Sequence, residues 1–183
     1  VIGSLPQEPN SDPKTSILEE CLSGDQETYN LKRQIETTEI QIQQSNDKDL
    51  LDKYSVLETL FRNRDGYKKE AQARKILQGL GFDLAKQSMS PTTLSGGWRM
   101  RLELAKLFLL SPNLYILDEP TNHLDLPSMI FVEGFLKNSG ATTIFVSHDR
   151  GLLDRLSTDI ISLSYGHLKH YQGNYSNFLV KEQ

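Results

Sequence analysis

The chain has 183 residues, with 20 Lys and Arg against 24 Asp and Glu and a single cysteine. That length accommodates one domain of ordinary size with a smaller appended lobe, not two full domains. A net charge of −4 excludes a global positive field that would hold bare nucleic acid or an anionic membrane by charge alone. No unbroken apolar run exceeds that of Leu107 to Leu110, far short of the roughly 20 residues a membrane-spanning helix needs.

In chain order, the first predicted helix starts at Ser16, where Glu19 three residues on completes a capping box, and ends near Gly24. Cys21 falls on it and reads as a half-buried small hydrophobe; one cysteine makes no internal disulfide or metal cluster and fits a reducing compartment. Residues 25 to 75 then hold ten basic and ten acidic side chains, 20 in 51 residues, against 24 in the other 132. Apolar positions in this polar stretch follow a helical period: Leu31, Ile35 and Ile42, then Leu50, Tyr54, Leu57 and Phe61. Ser45, Asn46 and Asp47 supply a turn and a cap between the two runs, so an antiparallel helical hairpin is predicted over residues 25 to 61. A further helix follows from about Gly66 to Gln78, stopped by Gly79 and Gly81.

Beyond residue 94 the pattern alternates. Leu114 to Leu117, Thr142 to Val146 and Ile160 to Leu163 are short β-rich runs, separated by helical stretches at 97–110, 127–137 and 150–156. This alternation predicts an α/β fold with a parallel sheet flanked by helices. Tyr165, Gly166 and His167 mark a turn, Leu168 to Tyr171 return as a strand, and a last helix starts near Tyr175.

Three segments carry chemistry. Leu94-Ser95-Gly96-Gly97-Trp98 stands directly before an amphipathic helix, so its hydroxyl and backbone amides gather at the positive end of a helix dipole, a phosphate-binding arrangement. Leu114 to Leu117 delivers Asp118 and Glu119 at a strand end, where an Asp can hold the Mg²⁺ of a nucleoside triphosphate and the adjacent Glu can polarise a water. The strand Thr142 to Val146 leads into Ser147-His148-Asp149, which places His148 at the same sheet edge, within reach of a terminal phosphate. His123, His167 and His170 read as structural or surface residues. The basic cluster Arg62, Arg64, Lys68, Lys69, Arg74 and Lys75 fits either an RNA-facing patch or a solvated helix, because Asp65 and Glu70 interleave it.

Taken in order, these elements resemble the ATP-binding cassette (ABC) ATPases, a P-loop NTPase-like fold with an inserted helical subdomain. Gln7 is similar to the family's Q-loop glutamine, residues 94–98 to its LSGGQ signature with Trp98 in place of the glutamine, and Asp118-Glu119 to the Walker B aspartate and catalytic glutamate. Leu124-Asp125 is similar to the D-loop and His148 to the switch histidine. The run from Asp118 to Asp125, with Gly173-Asn174-Tyr175 near the end, resembles the first cassette of the ABC-F branch, and the hairpin sits where that branch carries its arm. The resemblance implies ATP and Mg²⁺ as ligands. Glu119 and His148 are then catalytic; Gln7, Ser95, Gly96, Gly97 and Asp125 bind nucleotide; Asp118 and Gln7 serve the metal. It also implies three regions: a Q-loop segment at 1–13, a helical subdomain with arm at 14–93, and the ATPase core at 94–183. A second cassette of the same parent and the ribosome are the expected partners, without membrane insertion, in the cytoplasm.

No glycine here is followed by lysine, so the GxxxxGK[ST] loop that cradles β and γ phosphates is missing. With no initiating Met either, the sequence is expected to be a fragment of a longer protein, inactive alone and binding ATP weakly or not at all. The alternatives from other classes are an ATPase subunit of a membrane transporter and a non-catalytic interaction fragment.

Overall fold

The computed structural model of the chain describes residues 1–6, 15–45 and 47–182. These fall into two units, one spanning Leu5–Pro112 and the other combining Val1–Ser4 with Asn113–Gln183.

The first unit is helical. Its opening helix α1 (Ile17–Leu22) carries the predicted capping box: the Glu19 amide donates to Ser16 Oγ (3.2 Å) and the Ser16 amide to Glu19 Oε2 (2.6 Å). Helices α2 (Gln26–Gln44) and α3 (Lys48–Asn63) form the hairpin, zipped by Ile35, Leu57 and Phe61 with Leu31 and Tyr54 packed alongside. Asp25 and Asp47 cap them through the amides of Thr28 and Asp49. Asp25 also pairs with Lys69 on α4 (Gly66–Gly79), which ties the base of the hairpin to the rest of the unit.

A one-turn helix α5 (Leu84–Gln87), a 3₁₀ turn at Pro91–Thr93 and helix α6 (Gly96–Leu110) complete this unit. Its core is formed by Ile17, Leu22, Leu77, Leu80, Phe82, Leu102, Ala105 and Phe108, all essentially fully buried. Cys21 is fully buried rather than half-buried, and burial pushes its thiol pKa well up, so it stays a protonated, inert apolar group. Just beyond α1 the chain approaches α6 closely at Gly24, where a Cβ would come within 2.7 Å of the Lys106 carbonyl oxygen. Beside that contact Lys106 Nζ bridges Glu20 Oε1 (2.8 Å) and Glu103 Oε1 (3.1 Å), a largely buried triad linking the two helices.

In the second unit, β1 (Ile2–Ser4), β2 (Leu114–Asp118) and β3 (Thr142–Val146) form a parallel sheet in that order. The register pairs Ile116 with Ile144 and Asp118 with Val146. Helix α7 (Leu126–Asn138) connects β2 to β3, and α8 (Arg150–Leu156) follows β3. The strand predicted at Ile160 to Leu163 is β4 (Asp159–Ser164), but it does not join the parallel sheet. It pairs antiparallel with β5 (His167–Gln172), because the connection is only two residues long. Both turn residues, Tyr165 (φ 50°) and Gly166 (φ 78°), adopt the left-handed conformation that two-residue hairpin turns favour. Helix α9 (Tyr175–Glu182) packs back on β5, with Phe178 edge-on to Tyr171 at 4.9 Å.

Candidate functional site

Parallel pairing of β2 and β3 brings Asp118 and His148 to the same carboxyl edge of the sheet, the edge at which open α/β sheets bind ligands. Asp118 lies on the exposed face of β2. Glu119, the next residue, has a left-handed backbone (φ 45°), a conformation that costs a non-glycine residue about 1 to 3 kcal/mol. Its amide extends the strand pairing by donating to the Val146 carbonyl (2.9 Å), and its own carbonyl accepts from the Asn122 amide (3.0 Å) in the turn that follows. The carboxylate reaches the segment that follows β3. There Glu119 Oε1 accepts the backbone N–H of His148 at 2.8 Å, while the His148 imidazole Nε2 stands 3.7 Å away on an otherwise exposed side chain.

The strain at Glu119 is thus tied to a specific placement. Its carboxylate stands at a strand end, held through Oε1 by one backbone amide. Among the described residues no group of three or more His, Cys, Asp or Glu could hold a metal ion. Asp118 offers one exposed carboxylate at this edge, and Mg²⁺ commonly binds through one or two carboxylates with phosphate oxygens and water completing its shell.

Ser95 occupies the N-cap of α6, with Gly96 and Gly97 as its first two residues. Ser95 makes no capping bond with its side chain, in contrast to Ser16, Asp25, Asp83, Asp125 and Asp149, each of which caps its own helix. A Cβ built on Gly96 would meet nothing within 4 Å. An exposed helix terminus with an uncommitted hydroxyl and open space over its first residue is suited to an anion from outside the unit.

The other candidates fall as follows. Asp125 is the N-cap of α7 and accepts the Ser128 amide (3.1 Å). Gln7 lies outside the described residues. In the basic cluster, Arg62 pairs with Glu58, Arg64 with Glu27, Lys68 with Asp65, Lys69 with Asp25 and Arg74 with Glu70. That pairing favours the solvated-helix reading over an RNA-facing patch.

The family model described as ABC transporter matches residues 1–122. The chain belongs to the ABC transporter ATPase family. Its curated relatives include ABC transporter F family member 5 of Arabidopsis thaliana, 31% identical over 99% of this chain and 27% of that protein. ABC transporter F family member 2 of Dictyostelium discoideum is 42% identical over 72% of this chain and 21% of its own length. The cassette therefore spans only about a fifth to a quarter of these relatives.

A solved ATP-binding subunit of an ABC transporter shares the fold with a TM-score of 0.65 at 16% identity, over 99% of this chain and 62% of that one. A dimeric cassette in a post-hydrolysis state, bound to ADP and Pi, shares it with a TM-score of 0.56 at 18% identity, over 93% and 62%. The α/β architecture is thus that of ABC ATPase domains, and the relatives make this an F-family cassette.

Two features of the site were not legible from motifs. The bond from the His148 amide to Glu119 needs the β2–β3 register, and the surroundings of Trp98 need the fold of residues 80–87.

Proposed function

We propose that this cassette, within the protein that carries it, binds and hydrolyses ATP at an interface with a second cassette, and that the protein acts on the ribosome in the cytoplasm. The observation that carries the reading is the Glu119 carboxylate, tethered to the His148 amide at 2.8 Å and adjoining Asp118 at the carboxyl edge of the sheet. In this reading Asp118 and Gln7 serve Mg²⁺, which neutralises phosphate charge when bound. Glu119 takes a proton from the attacking water as its oxygen bonds the γ-phosphorus and the bond to the bridging oxygen of ADP breaks. His148 and Gln7 contact the γ-phosphate. Ser95, Gly96 and Gly97 receive the nucleotide held by the other cassette, with Asp125 at the same interface, an arrangement supported by the dimeric state of the ADP-bound relative.

The ribosomal part is supported by the F-family relatives and by the α2–α3 hairpin, which resembles the arm of that branch. Among the described residues no helix is long and apolar enough to cross a membrane. Without a glycine–lysine phosphate loop in its sequence, the 183-residue chain alone is expected to be inactive.

Glu119→Gln in the full protein tests both parts. Loss of the base should slow hydrolysis by about 10² to 10⁴ while ATP binding persists, and the ATP-loaded variant should pellet with ribosomes only when ATP is present. Hydrolysis at the wild-type rate would remove Glu119 from the reaction. Bound ATP without pelleting would move the function to a transport or other mechanical role.

A further inference from the structure

Two adjacent glycines make the start of α6 the softest kind of backbone, since glycine gives up the most conformational freedom when it is ordered. A turn that must present its N–H groups to a ligand gains from being fixed beforehand. The residues just beyond Gly97 do this from two sides. Arg99 folds back over the turn, its Nε donating to the Leu94 carbonyl (3.0 Å) and its Nη2 to the Thr92 carbonyl (3.3 Å). Trp98 reaches the other way, to the segment between α4 and α5. Its indole meets Phe82 edge to face, with centroids 4.9 Å apart and planes at 72°.

The Lys86 ammonium lies 4.3 Å from the indole centroid and the Arg101 guanidinium carbon 4.5 Å from it. The ground under the ring is itself anchored: Leu80 and Phe82 are fully buried, Arg101 Nη1 donates to the Leu80 carbonyl (3.4 Å), and the Gln87 side-chain amide donates to the Phe82 carbonyl (2.9 Å). Cations near the positive end of a helix are disfavoured by its dipole. Here the negative face of the indole compensates them. A glutamine at this position has no ring face with which to do so.

We propose that Trp98 is a positioning residue for the Ser95–Gly97 turn. Braced on Phe82 and clasped by Lys86 and Arg101, it fixes the direction of the free N–H groups at the start of α6, and with it the fit of that turn to the phosphates of a nucleotide held by a second cassette. This rests on the nucleotide reading above. Ser95 and Gly96 stay exposed while the backbone that carries them is held.

The test uses the full protein with Trp98→Gln, Trp98→Phe and Lys86→Gln, measuring kcat per folded molecule, ATP affinity and thermal midpoint. Because misplacing a group by about 1 Å can cost about 10²-fold in rate, Trp98→Gln should lower kcat by about tenfold or more, with ATP affinity unchanged within about twofold. Trp98→Phe, which keeps a ring face, should recover most of the rate. Lys86→Gln should lower kcat by about two- to fivefold at an unchanged thermal midpoint, and it decides the matter if Trp98→Gln does not fold. Wild-type kcat per folded molecule in both Trp98→Gln and Lys86→Gln overturns the proposal, as does a Phe variant no better than the Gln one. Glu119→Gln serves as the control: if it also hydrolyses ATP normally, the nucleotide reading fails first, whereas if it alone is impaired, only the role of Trp98 fails.

Discussion

The helical unit and the sheet unit treat their apolar surface in opposite ways. In the helical unit the apolar residues of α1, α4 and α6 bury one another, and even the polar contacts between α1 and α6 are internal, in the Glu20–Lys106–Glu103 triad. In the sheet unit only one face of the parallel sheet is covered: Tyr115 and Leu117 are buried, while Ile2, Ile116, Ile144 and Val146 on the other face are 67%, 44%, 52% and 60% exposed. Parallel sheets are normally covered on both faces. The outer edge of β3 also has no strand partner among the described residues. The candidate catalytic carboxylates therefore stand on the unit that is less complete in itself, and the signature turn on the one that is self-contained. Stability and proposed chemistry should respond to different mutations.

The largest expected effect lies in the helical unit. Lys106→Met removes the only cation of the triad and leaves Glu20 and Glu103, whose side chains are 8% and 10% exposed, without a counter-charge. Breaking such a buried pair costs about 3 to 5 kcal/mol. The pH dependence has a definite sign. Burial already raises the Glu103 carboxyl above the ordinary range despite the opposing pull of Lys106. An acid whose folded pKa lies above its unfolded value binds more protons folded than unfolded, so its contribution to stability falls as pH rises through that window. Without Lys106 the window widens upward. The deficit of the variant, read as the difference between its urea unfolding free energy and the wild-type value, should thus be greatest at neutral pH and shrink on acidification toward the ordinary carboxylate range. A deficit that stayed constant with pH would mean the triad is not what links α1 to α6.

A paired substitution sharpens the contrast directly. Leu77→Ala, at a fully buried position of α4, should cost about 2 to 4 kcal/mol. Ile144→Thr, at the exposed face of β3, should cost about 0.5 kcal/mol or less in the 183-residue chain. The same Ile144→Thr change in the full protein reports on the open face: a cost rising above about 1.5 kcal/mol there would show that the face is covered in the intact molecule, and that the asymmetry belongs to this stretch of chain alone. Urea unfolding monitored by circular dichroism measures both.

Much of this organisation was legible in local sequence because it is periodic. The hairpin follows from apolar residues every three to four positions, and five of those residues, Leu31, Ile35, Tyr54, Leu57 and Phe61, meet in one cluster. Strands β2 and β3 follow from runs of branched and aromatic residues bounded by turn formers, and the strand-end location of Asp118 and His148 follows with them. What was illegible depends on partners distant in the chain. Strand β1 has three residues and no alternation to read; it is a strand because Ile2, Gly3 and Ser4 pair with Leu114, Tyr115 and Ile116 more than a hundred residues away. Strand β4 resembles β2 and β3 in composition and yet pairs with β5, across a two-residue turn, rather than with the parallel sheet. The left-handed backbone of Glu119 and its bond to the His148 amide appear only once β2 and β3 are in register. Likewise Phe82 and Lys86 reach Trp98 only because the chain reverses after α4.

The smallest effect on stability is expected where the effect on function should be large. Gly96 stands at the first position of α6 with open space where a Cβ would point, and its φ is not in the left-handed region. Nothing within the helical unit therefore requires a glycine there. Alanine is the better helix former by up to about 1 kcal/mol in a helix interior and by less at an end. Gly96→Ala should leave the unfolding free energy unchanged within about 0.5 kcal/mol or raise it slightly. If the turn receives a phosphate at close range, the added methyl stands where the ligand must approach, and ATP hydrolysis by the full protein should fall by about tenfold or more. Normal stability with impaired hydrolysis identifies this glycine as kept for a ligand. Normal stability with normal hydrolysis would instead mean that the open space over Gly96 is plain solvent, and the nucleotide would have to be met by Ser95 and Gly97 alone.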